Sequence, residues 1–139
     1  LKENMPAMAS ITVKKFDGTT DIIYDALSAS GGDGSPAVWR QDTGAAAALP
    51  VGLRSQFQLL STWNGPKTAR QLKSRFVMPY AVQDSTTTKY SATDRVVSDL
   101  IITMPQGIPS ATLQEVYQVL NLFASTLVKQ SVAAGYAPT

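Results

Sequence analysis

The sequence predicts an α+β chain in which antiparallel strands come first and helix comes last. Three observations predict it. Asn64-Gly65 divides two runs of alternating apolar and polar residues in LRSQFQLLSTWNGPKTARQLKSRFVMPYAV, residues 53–82. A dipeptide that tolerates positive φ at both positions, set between such runs, is the strongest short-range signal for a β-hairpin. A second turn dipeptide, Asp17-Gly18, divides SITVKKF from TTDIIYDAL. Residues 112–134 contain neither glycine nor proline before Gly135, which leaves room for one long helix with a glycine stop.

The first nine residues, LKENMPAMA, have no period and read as a loose arm or short leading strand. The Asp17-Gly18 hairpin mixes apolar and charged residues on both sides, so it belongs at a sheet edge or at a contact between subunits. SASGGDGSP, residues 28–36, is a loop by composition. Its glycines invite a phosphate-loop reading, but the Gly-Lys-Ser/Thr ending and a following helical period are both missing. AVWRQ, residues 37–41, is a short strand, and TGAAAALPVG, residues 43–52, reads as a connecting loop rather than a turn of helix because glycines and Pro50 flank it.

Alternation in the central hairpin places Leu53, Phe57, Leu59 and Trp63 on one face of the first arm, and Arg54, Gln56, Gln58, Leu60 and Thr62 on the other. In the second arm Leu72, Phe76, Met78 and Tyr80 oppose Gln71, Lys73, Arg75 and Val77. One face is apolar and needs a cover; the other carries amides and cations. QDSTTTKYSAT, residues 83–93, is polar and unpatterned and reads as a long flexible loop. Residues 94–105 return to strand, with Val96, Leu100, Ile102 and Met104 on the apolar side and Arg95 on the basic one. Thr112 with Glu115 forms a capping-box pattern, with Ser110 as a competing cap. Leu113, Val116, Tyr117, Leu120, Ala124, Leu127, Val128 and Ser131 then recur at helical spacing, widened by Leu122 and Phe123.

A straight helix over that span reaches about 34 Å, whereas five strands are only about 20 to 24 Å across. The helix must break, or reach onto a neighbouring molecule; the same stripe also suits an ordinary two-layer monomer.

The 139 residues suit one domain, 1–139, with an N-terminal arm and hairpin over 1–27, a sheet over 37–105 and a helical region over 110–134. No apolar run approaches the roughly 20 residues that span a bilayer, and no signal pattern opens the chain, so no membrane partner is expected and the chain reads as soluble and unexported. There is no cysteine and no histidine. That removes disulfides, thiolates, the commonest general base and the commonest metal ligand. Eight of the ten carboxylates are aspartates; Asp17, Asp33, Asp84 and Asp94 read as turn or strand-boundary residues. Asp99, on the face of Arg95, reads as an ion-pair partner rather than a base. No nucleophile has a base in a known pattern and no metal spacing exists, so the chain reads as non-enzymatic, with no catalytic or metal site, no cofactor and no small-molecule substrate.

The net charge of +2 is unevenly spread. Residues 1–53 hold four basic and six acidic side chains, residues 54–95 seven and two, and residues 96–139 one and two. This is the footprint of a surface facing phosphate, or of a solvated sheet face that uses cations as edge protection.

The run WNGPKTA, Trp63 to Ala69, between two long strands resembles the coat proteins of single-stranded RNA bacteriophages, the leviviruses, and the order of elements along the chain is similar to theirs. The resemblance implies an N-terminal hairpin before a five-stranded antiparallel sheet, with one C-terminal helix or two packing across the partner subunit in an intertwined homodimer. It implies an icosahedral capsid, hence a virion location with assembly in the bacterial cytoplasm, and binding of a single-stranded RNA stem-loop as packaging signal and translational repressor. The RNA-facing positions it implies are Arg54, Gln56 and Gln58, then Gln71, Lys73 and Arg75, then Thr93 and Arg95. Lysine and arginine would neutralise phosphates, while glutamine and threonine would bond bases or sugar hydroxyls. It also implies that the loop 83–92 meets its copies around symmetry axes. A small dimeric RNA-binding regulator that forms no particle is the alternative consistent with the same basic face.

Overall fold

A computed structural model describes residues 6–139. They divide into two compact units, one ending at Thr103 and the other Met104–Thr139. The first is built on a six-stranded sheet in sequence order: β1 Ile11–Lys14, β2 Asp21–Ser28, β3 Ala37–Arg40, β4 Gln56–Trp63, β5 Ala69–Gln83 and β6 Tyr90–Pro105. The N-terminal hairpin is therefore continuous with the sheet rather than set before a five-stranded one. Consecutive strands from β1 to β5 pair antiparallel. Of the leading arm, residues 1–5 lie outside the described residues, and residues 6–10 form no strand but are tied down. The Trp39 indole N–H donates to the Ala9 carbonyl at 2.8 Å, and the Ala26 N–H donates to Ser10 Oγ at 3.1 Å.

Each turn differs from the simplest reading of its dipeptide. The first spans Lys15 to Thr20, with Gly18 at φ +76°. The Asp17 carboxylate accepts the N–H groups of Thr19 and Thr20 and the Thr20 hydroxyl. Those bonds, the hydroxyl's first, hold Asp17 well below the usual carboxylate range. In the central hairpin the turn is longer than two residues. The Lys67 N–H donates to the Asn64 carbonyl, and the left-handed residue is Lys67 at φ 57°, not Gly65. Pro66 fixes its own φ and has no N–H, and the chain closes at the Asn64 N–H, which donates to the Ala69 carbonyl at 3.0 Å. Asn64 Oδ1 fills the gap by accepting from the Thr68 and Ala69 N–H groups.

The expected long loop after β5 shrinks to residues 84–89 because both strands continue past their apolar segments. Asp84 organises the tip: its N–H donates to the Lys89 carbonyl, and its Oδ1 accepts from Thr86 and Thr87 at 2.7 and 3.0 Å. Residues 43–52 also depart from the expected open loop, forming 3-10 turns at Gly44–Ala48 and Val51–Leu53. Leu53 thus belongs to a turn, and β4 begins at Gln56.

The second unit contains α1 Ser110–Leu113, a 3-10 turn Gln114–Tyr117, α2 Gln118–Ala124 and α3 Thr126–Ala134. The expected capping box does not form. Pro109 is the N-cap, and its carbonyl accepts from Thr112 and Leu113, so Ser110 and Thr112 lie inside the first turn. Glu115 instead accepts from the Gln118 amide. Of the one helix or two that the length left open, the chain takes the broken form, since Ser125 is extended at ψ 153°. Its hydroxyl donates to the Leu122 carbonyl at 2.6 Å, closing α2, while its own carbonyl accepts from Lys129 to open α3. A serine that bonds its local backbone competes with the helix ladder. Gly135, at φ +81°, ends α3 as expected.

Only Ala37, Trp39 and Ala69 are buried among the described residues. Trp39 packs against Phe57 with ring centroids 5.5 Å apart, and Tyr24 meets Phe76 edge-on at 6.2 Å. Much apolar surface stays bare: Met78, Tyr80 and Val82 on β5, and Leu120, Phe123 and Leu127 in the helical unit.

Candidate nucleic-acid interface

Directly opposed residues of an antiparallel pair share a face. The β4–β5 register opposes Gln56 to Val77, Gln58 to Arg75, Leu60 to Lys73 and Thr62 to Gln71. Five of the eight positions implied for RNA contact, Gln56, Gln58, Gln71, Lys73 and Arg75, are thereby set on one face. β3 extends it, with Val38 opposite Gln58 and Arg40 opposite Gln56. The other face receives Phe57 against Phe76 and Ser61 against Leu72. There it forms a groove of about 890 Å³ lined by Ile11, Val13, Ile22, Tyr24, Phe57 and Phe76 among others.

The remaining three positions converge at the end of the polar face. Arg54, Thr93 and Arg95 line a cleft of about 550 Å³ together with Gln56, Val51, Gly52, Val77 and Pro79. Arg54 differs from the rest because its guanidinium is committed within the chain. Nε donates to the Leu49 carbonyl at 3.0 Å, Nη2 to the Ala47 carbonyl at 3.2 Å, and Nη1 to Asp42 at 2.8 Å. Arg40 is likewise bound to Asp42, at 2.6 Å, with the Asp42 N–H donating to Asp25. The Arg40 hydrogen bond, seconded by Arg54, holds Asp42 below the usual carboxylate range.

Arg75 is paired with Asp99 as the alternation implied, though loosely: the groups stand 3.6 Å apart and both are exposed. Among the described residues, Lys73 and Arg95 have no salt-bridge partner at all. Arg70, from the same basic stretch, lies on the opposite face opposite Trp63. It stacks 4.8 Å from the Trp63 ring and binds Asp33 at 2.5 Å, fastening the 28–36 loop. Asp33 is thus an ion-pair residue as well as a loop residue.

Chemically, the polar face offers two uncommitted cations, one loosely paired guanidinium, three glutamine amides and a cleft lined by apolar and polar side chains alike, the Asp94 carboxylate among them. Such a set suits phosphates and unstacked bases. Sequence reasoning missed the cleft because Val51 and Gly52 reach it only through the 3-10 connector, whose composition carried no period; Pro50 was the single local hint of order.

A six-stranded antiparallel sheet followed by a helical region matches the fold of RNA-bacteriophage coat proteins. The chain is similar to the virus-like particle of Beihai levi-like virus 21, at 15% identity and TM-score 0.74 over 96% of this chain and 98% of that one. It is similar to the virus-like particle of bacteriophage NT-214, at 11% identity and TM-score 0.77 over 96% and 100%. The bacteriophage GA protein capsid aligns at 10% identity and TM-score 0.69 over 94% and 96%. No protein-family model and no curated protein matches the sequence. At these identities the likeness is one of fold, kept while nearly all side chains differ.

Proposed function

We propose that this chain is a capsid protein that dimerises, assembles into an icosahedral shell and holds single-stranded RNA against the polar face of its sheet. The observation that carries the reading is a coat-protein fold matched along nearly the whole of both chains. Its sheet is chemically opposite on its two faces. β6 supports dimerisation, being a 16-residue strand at the sheet's edge; an edge of that length is a template for another chain. The apolar groove and the bare residues of α2 and α3 supply complementary apolar surfaces, so a second copy's helices are the proposed cover for the groove. Pairing along β6 would then double the polar platform. On that platform Lys73, Arg75 and Arg95 take phosphates, and Gln56, Gln58, Gln71 and Thr93 take bases and sugar hydroxyls of an RNA stem-loop. The stem-loop serves as packaging signal and translational repressor site, with assembly in the host cytoplasm and a final location in the virion.

Electron microscopy with light scattering on the purified chain tests this reading. Closed particles containing RNA are expected. A dimer-sized species at every salt concentration overturns the shell and leaves the particle-free regulator.

A further inference from the structure

Two arginines on the polar side of the sheet share a single carboxylate. Resting on the reading of this face as the RNA surface, we infer that Asp42 is a specificity-determining residue, which withholds the Arg40 guanidinium from RNA phosphates and so keeps the sequence-independent part of binding small.

The argument begins with the place of Arg40. It stands directly opposite Gln56 on β4 and Asp25 on β2, in the row of the polar face that continues to Val77 on β5. By position it is as well set for a polyanion as Lys73. Yet its Nε donates to Asp42 Oδ1 at 2.6 Å and its Nη2 to Asp42 Oδ2 at 3.1 Å. That two-pronged grip on two oxygens is the one with which a guanidinium clasps a phosphate. Asp42 therefore fills the place a phosphate would take.

The mask is itself anchored. The Asp42 N–H donates to Asp25 Oδ2 at 3.0 Å, and Arg54 Nη1 donates to Asp42 Oδ1 at 2.8 Å. Asp25 Oδ2 also accepts from the Thr43 hydroxyl, so Asp25 is already engaged beside its cross-strand neighbour. Arg54 keeps the Leu49 and Ala47 carbonyls whatever happens at Asp42. Loss of the Asp42 charge should thus free one guanidinium, that of Arg40, and not two.

A phosphate contact strengthens binding to every RNA and distinguishes none. With Arg40 covered, discrimination falls to the amides of Gln56, Gln58 and Gln71, whose share of the binding energy grows as the charge term shrinks. A protein that must choose one RNA among many gains from that balance.

The test uses the full chain, stripped of RNA and kept below the concentration at which light scattering detects particles, with a fluorescent ten-nucleotide mixed-sequence single-stranded RNA as probe. Anisotropy over a salt series reads the slope of log affinity against log salt. Asp42→Asn should steepen that slope by about 0.7, one phosphate on a single strand. Arg40→Gln alone should leave the wild-type slope, and the two substitutions together should restore it. An unchanged slope in Asp42→Asn reduces Asp42 to a clasp of the connector. A steeper slope that persists in the double variant assigns the gain to the lost negative charge alone and equally overturns the mask. Arg40→Gln keeps Asp42 in place, so a shallower slope there shows Arg40 already on phosphate and refutes the inference even where the Asp42 variant fails to fold. A wild type that does not bind the probe sinks the RNA surface itself, and the mask with it.

Discussion

The two faces of the sheet each carry arginine from the same basic stretch, and the contrast between Arg70 and Arg95 shows what charge counting leaves out. Arg70 lies on the apolar face, stacked on Trp63 and locked to Asp33. Arg95 lines the polar cleft without a salt-bridge partner among the described residues. Equal formal charges thus serve opposite ends: one ties a loop to the fold, the other stays open to a ligand. Arg54 stands between them, on the polar side by position but structural by its bonds. A cation's availability is decided by its partners, not by the side of the sheet it points from.

The contrast breaks most visibly at Trp39, the largest buried side chain of the apolar face at 7% exposure. Trp39→Ala should cost about 3 to 5 kcal/mol, read as a lowered urea midpoint for the assembled protein, whereas Lys73→Gln should stay within about 0.5 kcal/mol. Equal losses would mean that the faces are not differently employed. Next in size, Arg54→Ala should cost roughly 1 to 3 kcal/mol, because carbonyls and Asp42 lose a shared donor; the same denaturation series checks it, and a neutral outcome would return Arg54 to the pool of free cations.

Charge removal on the polar face should leave stability alone and act on RNA. Each of Lys73→Gln and Arg95→Gln should flatten the plot of log affinity against log salt by about 0.7 per phosphate lost on a single strand, while Arg70→Gln leaves the slope in place. Fluorescence anisotropy over a salt series reads it. Smallest of all, Asp99→Asn should change stability by at most about 0.5 kcal/mol, since its pair with Arg75 is long and exposed.

Acid offers a separate check on the turns. The Thr87 and Thr86 backbone N–H groups lower the Asp84 pKa. A carboxylate whose folded pKa is depressed contributes its full stabilisation above the unfolded value of about 3.9 and loses it as pH falls through the lowered folded value. The amide signals of Thr86 and Thr87 should therefore hold their positions down to about pH 4 and move only below it; movement near pH 6 would contradict the cap.

Much of the sheet was legible because period-two alternation ties each residue's chemistry to a face. Once Gln56, Gln58, Lys73 and Arg75 alternate with Phe57, Leu59, Leu72 and Phe76, any in-register hairpin separates them, and the observed register did so. The helical region was less legible. Its apolar spacing runs unbroken through Ser125, and nothing in that spacing reveals that the serine will bond the backbone and divide the rod.

By itself the sequence determined where the central strands alternate, the separation of amides and cations from apolar side chains, and the glycine stop at Gly135. These depend on neighbours two to four residues away, where local geometry is fixed. Only the tertiary structure decided which cations remain available, how the 43–52 connector walls a cleft, and that Asp33 and Asp42 neutralise arginines up to 37 residues distant. Such pairings rest on distances between side chains that chain order does not specify, and folding alone brings them within hydrogen-bond range.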